Sequence, residues 1–294
     1  MTTVTTDQVT QSGWRAVNLD VLKRIEDLPS LSSVVAEFLE LTRREFFTAK
    51  DFEVVLSKDQ ALVARLLKVA NSSLYGRPRS IHSIPEAVVL VGLDQMKRIV
   101  FSVSTEGLTR TRLQNYHYEP QRGYWMHSTA VGLAARAIIE ALPEKPLHAE
   151  EAFVAGLLHD VGKLIIDDFL DPVPGPRDVS LNEEAEAVGL DHAELSEYIL
   201  DQWKLPRSIV AAVRDHHRDL GEADVPAGAR LLQLAAAVVQ TWDIGFAGEF
   251  DLSSDFDPEP HRPLLEAVGV PDARLPQVLW DVRQNLAGLE KLYS

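Results

Sequence analysis

The apolar positions of this chain recur with the spacing of helices, and strand-like alternation is scarce. Between residues 34 and 42 the apolar side chains form one stripe: Val34, Val35, Phe38, Leu39 and Leu41. Such a stripe, with intervals of three and four residues, is typical of an amphipathic helix. Residues 60–70 are more densely apolar, and we expect a central helix there. The pattern predicts an all-α fold built from many helices.

Turn-forming residues divide the helical pattern into segments. The stretches 71–76, 142–146 and 171–176 are rich in Gly, Pro, Asn or Ser. The last of them holds three prolines and a glycine and is the strongest break in the chain. We interpret it as a surface loop within a domain rather than as a linker between domains.

The segments suggest one large helical unit with short additions at its ends. Residues 1–18 form a polar leader. The main domain is expected over residues 19–244, with closely packed parts at 19–115 and 116–244. Residues 245–294 begin with an acidic, proline-containing stretch and continue with helical patterns, which predicts a C-terminal helical extension.

Composition narrows the chemistry. The chain has 294 residues, 46% of them hydrophobic and 25% charged, which is ordinary for a globular protein. It contains no cysteine, so any metal must be bound by imidazole and carboxylate groups. A net charge of -15 opposes general binding of nucleic acid. The N-terminus lacks the pattern of a signal peptide and no apolar run reaches the length of a membrane span, so we expect a cytoplasmic protein without membrane contact.

Six residues able to bind metal stand at helix ends or in adjacent positions: His127, His159, Asp160, His192, His216 and His217. Neighbouring helical residues point about 100° apart, so His159 and Asp160 could approach one ion from different directions. Imidazoles suit divalent transition metals, and one carboxylate can bridge two ions. Alternatively, the histidines only form hydrogen bonds inside a helical core, although burying so many unpaired polar groups is unfavourable.

Three sequence blocks carry a family resemblance. Residues 68–72 read Lys-Val-Ala-Asn-Ser and are followed by Tyr75-Gly76, residues 125–128 read Trp-Met-His-Ser, and residues 156–163 read Gly-Leu-Leu-His-Asp-Val-Gly-Lys. With these blocks in this order, the chain resembles the HDOD family over about residues 19–239. That family is a bacterial branch of the HD phosphohydrolase superfamily and a relative of the HD-GYP cyclic-dinucleotide phosphodiesterases. The resemblance implies an HD-like bundle preceded by an N-terminal helical part.

The resemblance also implies a site for one or two divalent ions, with iron, manganese, nickel or zinc as candidates. The first ion would be held by His127, His159 and Asp160. The second ion, to which Asp160 bridges, would be held by His192, His216 and His217. If this chain is active as those relatives are, Asp160 and Lys163 would be its catalytic residues, and Lys163 would face a substrate phosphate.

The sequence departs from the catalytic pattern of that superfamily in two places. Active relatives supply a further Asp from a late helix, where this chain has Ala236. Asp243 lies about 10 Å farther along a helix, which is too far for a simple replacement. The Gly-Tyr-Pro signature of the phosphodiesterase branch is missing after His217. The ligand set of the first ion therefore lacks one carboxylate, whereas the ligand set of the second ion is complete by residue type.

Two functions fit these observations. The first is a non-enzymatic or weakly active signalling module that binds partner proteins, retains a metal site and accepts a nucleotide or phosphate ligand. The second is a metal-dependent phosphohydrolase that acts on a nucleotide or a cyclic dinucleotide. The missing carboxylate favours the first function, and the retained His-Asp and His-His pairs favour the second.

Overall fold

The computed structural model describes residues 19–28, 33–44, 46–71, 81–109, 113–119, 123–171, 177–222, 224–246 and 251–286. Over these residues the regular structure is helical, and β-structure is limited to two isolated bridges, Tyr116 with Arg177 and Tyr118 with Phe246. The predicted all-α fold is confirmed. The predicted leader over 1–18, the turn at 72–76 and the loop at 172–176 lie outside the described residues.

Aromatic side chains hold the first part of the fold together. Its helices are α1 (Leu19–Asp27), α2 (Ser33–Thr42), α3 (Ala49–Leu56), α4 (Gln60–Ala70), α5 (Ile84–Val91) and α6 (Leu93–Thr109). The Phe38 ring of α2 lies 4.6 Å from the Phe52 ring of α3 and 5.3 Å from the Phe101 ring of α6. Phe101 lies 6.2 Å from Phe153, in the second part, so one apolar core continues across both parts.

Helix α4 is less central than its sequence predicts. Leu62, Leu66 and Ala70 are buried, whereas Ala61 and Arg65 are exposed. The buried positions recur every fourth residue, so only one face of the helix packs against the core. The expectation of a central helix was wrong because Val63, Leu67 and Val69, which raised the apolar density of the segment, are only half-buried at the edge of the core.

A long buried helix organises the second part. The helices there are α7 (Gly123–Ala141), α8 (Ala149–Leu158), α9 (Lys163–Ile166), α10 (Leu181–Val188), α11 (His192–Gln202), α12 (Arg207–Arg214) and α13 (Ala227–Gln240). Helix α7 is buried along most of its length, and α8 and α13 pack against it. Apolar residues surround α7 on all sides, which is the pattern of a helix at the centre of a bundle.

The C-terminal segment closes over the same central helix. It contains α14 (Arg262–Val268) and α15 (Leu275–Leu286), and α15 packs against α7 through a face that buries Val278, Val282 and Leu286. The backbone carbonyl of Ser254 accepts hydrogen bonds from the Trp242 indole at 2.8 Å and from the Arg283 guanidinium at 2.7 Å. No helix in the described ranges is long and apolar enough to cross a membrane.

Charged side chains also connect the two parts of the fold. Arg43, just after α2, lies 2.6 Å from the buried Glu151 of α8, and Lys97 of α6 lies 2.8 Å from Glu150. Because these pairs join helices on either side of residue 116, the first part is fixed against the helices that carry the histidines. The predicted boundaries, between the two parts of the main domain at residues 115/116 and between that domain and the C-terminal extension at 244/245, stay a prediction.

Candidate metal centre

Five histidines and one aspartate come together at one end of the α7–α8 pair. His127 lies in the first turn of α7, His159 and Asp160 directly follow α8, and His192 begins α11. His216 and His217 follow the end of α12, which stops at Arg214. The first group of closely spaced ligand atoms comes from His127, His159 and Asp160. The second comes from Asp160, His192, His216 and His217, and within each group these atoms lie within 4.8 Å of one another.

Two glycines let α7 and α8 approach closely enough to place their histidines side by side. A Cβ atom on Gly156 would lie 2.7 Å from Gly132 Cα, and one on Gly132 would lie 2.7 Å from the carbonyl oxygen of Phe153. Real Cβ atoms do not tolerate such distances, so only glycine fits at this crossing. The rings of His127 and His159 consequently lie 5.4 Å apart.

The turn after α8 is fixed against the start of α11. A Cβ atom on Gly162 would lie 2.4 Å from the carbonyl oxygen of His192. The Ser196 hydroxyl of α11 accepts a hydrogen bond from the Gly162 N–H at 2.8 Å and donates one to the His159 carbonyl at 3.2 Å. Asp191 caps α11 by accepting from the Glu194 N–H, which sets the direction in which His192 leaves the helix start. Gly162 therefore allows the turn after α8 to approach the backbone of His192 closely.

The two carboxylate oxygens of Asp160 have different surroundings. Oδ2 accepts hydrogen bonds from the Tyr118 hydroxyl at 2.8 Å and from Lys163 Nζ at 2.8 Å. Oδ1 lies 3.1 Å from His192 Nε2 and 3.8 Å from His216 Nε2, and within the described residues it has no hydrogen-bond partner. A buried carboxylate oxygen without a donor is unfavourable unless a cation or another donor faces it.

Three of the histidines direct the same ring atom at Asp160. Backbone carbonyls lie next to Nδ1 of two of them, Gly156 O at 2.8 Å from His159 and Val213 O at 2.5 Å from His216. The Glu184 carboxylate lies 2.7 Å from Nδ1 of His192. Since these oxygens only accept hydrogen bonds, each Nδ1 carries a proton, and in the neutral form of each ring Nε2 presents its lone pair. Metal-binding histidines in proteins are held in this way.

The pKa shifts follow from burial and from mutual contact. Burial lowers the pKa of His127 to about 4 and lowers the pKa values of His159 and His216. The pKa of Asp160 is lowered: burial raises it, but His159, Lys163 and His192 lower it more. The pKa of His192 is instead raised: burial and Lys163 lower it, but Asp160 and Glu184 raise it more. Neutral imidazoles beside an ionised carboxylate are the protonation states that bind a divalent cation, so an ion bound at this site would displace any proton from His192 Nε2. The donor set therefore fits the predicted metal ion.

Sequence reasoning missed two tyrosines that contact this site. Residues 113–119, which we call the tyrosine strap, lie between α6 and α7. Asp167 anchors the strap by accepting from the backbone N–H groups of Gln114 and Asn115, each at 2.8 Å. Tyr118 then reaches Asp160, and Tyr116 donates to Glu184 Oε1 at 2.9 Å. Nothing local in the strap sequence indicates these contacts, which join residues 42 and 68 positions apart.

Glu184 is the third residue that the sequence did not single out. It lies on α10, has no exposed surface and accepts from both the backbone N–H and the ring of His192. The only local hint is its place in a helix whose start is capped by the neighbouring pair Ser180 and Glu183. A capping pattern does not indicate which acidic residue in the first turn faces the core.

Position 236, where the family resemblance leads us to expect a carboxylate, carries an alanine. Ala236 is half-buried on α13, and Asp243 is exposed after the end of that helix with a φ of 51°. The chain then turns back through Gly245 (φ +89°), where a Cβ would lie 2.8 Å from His127 N. The Phe246 ring packs 5.2 Å from the ring of His127. Aromatic rings therefore lie beside His127, with Tyr118 at 5.6 Å and Phe246 at 5.2 Å between ring centroids.

Comparison with known proteins gives a family match for most of the chain. Residues 28–219 match the model of the HDOD domain. An uncharacterized protein of Treponema pallidum (strain Nichols) is 26% identical over 207 residues, which cover 67% of this chain and 39% of that protein. This chain therefore spans well under half of the length of that relative.

Solved structures share the fold. An HDOD domain protein of unknown function from Geobacter sulfurreducens superposes with a TM-score of 0.64 and 22% identity, covering 97% of this chain and 96% of its own. A protein from Marinobacter aquaeolei VT8, provisionally named a signal transduction protein, superposes with a TM-score of 0.68 and 19% identity, covering 97% of this chain and 64% of its own. A protein from Shewanella amazonensis SB2B, provisionally named a phosphohydrolase, superposes with a TM-score of 0.60 and 21% identity, covering 92% of this chain and 94% of its own. At these identities the likeness shows the fold alone.

Proposed function

The chain belongs to the HDOD family, and from this premise we propose that it is a regulatory module of bacterial signal transduction. In this proposal it binds one divalent transition metal ion and does not hydrolyse phosphodiesters. The partners are signalling proteins, and a nucleotide or another phosphate compound is the small ligand. The absence of cysteine is compatible with the cytoplasmic location that the proposal includes.

The asymmetry of Asp160 is the observation that carries the proposal. Its Oδ1 faces the Nε2 atoms of His192 and His216, whereas its Oδ2 is held by Lys163 and Tyr118. A metal ion beside Oδ1 would have one carboxylate and up to three imidazoles as ligands, with His217 as the third. We assign the single ion to that side.

The surroundings of Asp160 Oδ2 support a role without hydrolysis. The Lys163 ammonium group lies 2.8 Å from Oδ2, in the direction from which a second ion would share the carboxylate. By the family resemblance, Ala236 stands where active relatives supply a further acidic ligand for that ion. Paired ions activate water and stabilise the leaving oxygen in phosphoester hydrolysis, and a single ion provides less charge for both steps.

Metal analysis tests the assignment. The protein would be purified without chelators and loaded separately with iron, manganese, nickel or zinc, and the bound metal would be measured after gel filtration. We expect one equivalent in the wild type, loss of binding in His217→Ala and retention in His127→Ala. Binding that is lost in His127→Ala but kept in His217→Ala would reverse the assignment, and no binding by the wild type would refute it.

A metal-dependent phosphohydrolase is the second candidate, favoured by the two groups of metal ligands that share Asp160. The assay would supply a cyclic dinucleotide, a nucleotide and bis(p-nitrophenyl) phosphate together with each metal. The regulatory proposal predicts no turnover above that of Asp160→Asn. Turnover that disappears in Asp160→Asn would establish the hydrolase and overturn the non-enzymatic role.

A further inference from the structure

A buried carboxylate holds one histidine of the proposed metal pocket from behind. Glu184 Oε2 accepts from the backbone N–H of His192 at 2.8 Å and from its ring Nδ1 at 2.7 Å. Glu184 Oε1 accepts from the Tyr116 hydroxyl at 2.9 Å. Both carboxylate oxygens are therefore used, and the side chain has no exposed surface.

These contacts leave the His192 ring little freedom. The two bonds to one oxygen fix both the start of α11 and the rotation of the imidazole, and the bond to Nδ1 places the lone pair on Nε2 in the neutral ring. That Nε2 lies 3.1 Å from Asp160 Oδ1 and 2.9 Å from His217 Nε2. Glu184 thus aims a single nitrogen at the point where the other ligand atoms converge.

We infer that Glu184 is a positioning residue for the metal ion: it orients His192 toward the ion and adds a buried negative charge behind the imidazole, which strengthens the nitrogen as a ligand. Such a carboxylate–histidine–metal arrangement typically changes metal affinity by about 10- to 100-fold. The inference rests on the one-ion pocket of the proposed function and assigns part of its affinity to a residue that does not touch the ion.

Tyr116 extends this arrangement to the tyrosine strap. Its ring is buried, and its hydroxyl group donates to the Glu184 oxygen that His192 leaves unused. Burial and the adjacent Glu184 raise the pKa of Tyr116 well above its usual value, so the hydroxyl remains a donor. Tyr116 therefore holds Glu184 in the orientation that His192 requires.

Cobalt(II) alone is a suitable probe because its visible absorption reports the number and geometry of its ligands. Wild-type protein, freed of metal, would be titrated with cobalt(II), and the dissociation constant and spectrum recorded. The variants are Glu184→Leu, Glu184→Gln and Tyr116→Phe, with Glu186→Gln as a matched control from the exposed face of the same helix. The unfolding temperature of each protein would be measured with and without cobalt.

We expect Glu184→Leu to weaken cobalt binding at least tenfold and to change the spectrum. Glu184→Gln keeps an acceptor but loses the charge, so its cobalt affinity should lie between those of Glu184→Leu and the wild type. Tyr116→Phe should weaken binding by a few-fold, and Glu186→Gln should match the wild type. The rise in unfolding temperature on adding cobalt should decrease in the same order. A purely structural role would lower the metal-free unfolding temperature and leave affinity and spectrum unchanged.

The outcomes separate the two proposals. Wild-type affinity and spectrum in Glu184→Gln and Tyr116→Phe would overturn the role of Glu184 and leave the metal pocket standing, even if Glu184→Leu failed to fold. No cobalt binding by the wild type would overturn both.

Discussion

The Tyr118 hydroxyl lies 2.8 Å from Asp160 Oδ2 and donates a hydrogen bond to it, although the two residues are 42 positions apart in the chain. Burial and the adjacent Asp160 raise the pKa of Tyr118 well above its usual value, so this donor stays protonated. The Tyr118 ring also stacks on Phe246, at 5.5 Å between centroids, beside His127. One tyrosine thus closes the Oδ2 side of the site.

Tyr118→Phe should destabilise the protein without changing the number of bound ions. The substitution keeps the ring stack and removes one donor from a buried carboxylate, which typically costs about 2 kcal/mol. Urea unfolding of the metal-free proteins measures this change in the free energy of unfolding. Metal analysis of the same samples should still give one equivalent, and a second equivalent would show that the hydroxyl alone excludes the other ion.

Lys163→Ala should allow a second, weaker ion to bind. The substitution removes the ammonium group from Oδ2 and leaves His127, His159 and Asp160 as potential ligands, without the further carboxylate missing at Ala236. Titration with manganese to saturation, followed by metal analysis, should give a stoichiometry above one. A value of one at saturation would argue that the ligand set, rather than Lys163, limits the site to a single ion.

Gly162→Ala should lower both stability and metal affinity. The added methyl group would lie 2.4 Å from the carbonyl oxygen of His192, so α11 has to move away from the turn that carries Asp160. Overpacking of this kind costs about 2 kcal/mol. Gly221→Ala is the control, because its Cβ would meet only the Asp219 side chain, at 3.3 Å. Equal unfolding free energies and equal metal affinities for both variants would contradict this account.

Lys97→Ala should destabilise the contact between the two parts of the fold. Lys97 and Glu150 are both largely buried at 2.8 Å, and removing one partner of such a pair leaves the other charge without compensation, at a cost of about 3 kcal/mol. Arg136, 4.0 Å from Glu150, offsets part of that cost. Lys97→Met, which keeps the apolar stem, should lose less. Chemical unfolding of both variants checks the order, and a larger loss in Lys97→Met would exclude this explanation.

Much of the site could be anticipated because its chemistry is concentrated in short blocks. His159 and Asp160 adjoin one another after an apolar helix, and His216 and His217 adjoin one another after a second helix. Together with His127 and His192 these blocks supplied the candidate ligands, and the family resemblance divided them between two ions. Helix α4 shows the limit of the same reasoning, since local apolar density does not reveal which face of a helix finds a partner.

The sequence by itself determined the all-α fold and the set of candidate histidines and Asp160, because these depend on periodicity and residue identity, which are properties of the chain alone. The missing carboxylate at Ala236 follows from the resemblance to active relatives. Tertiary structure decided the difference between the two oxygens of Asp160 and the contacts of Glu184 and Tyr116, because these hydrogen bonds join distant segments. Whether an acidic or hydroxyl side chain is buried beside a ligand depends on how the helices pack, and no local pattern encodes that.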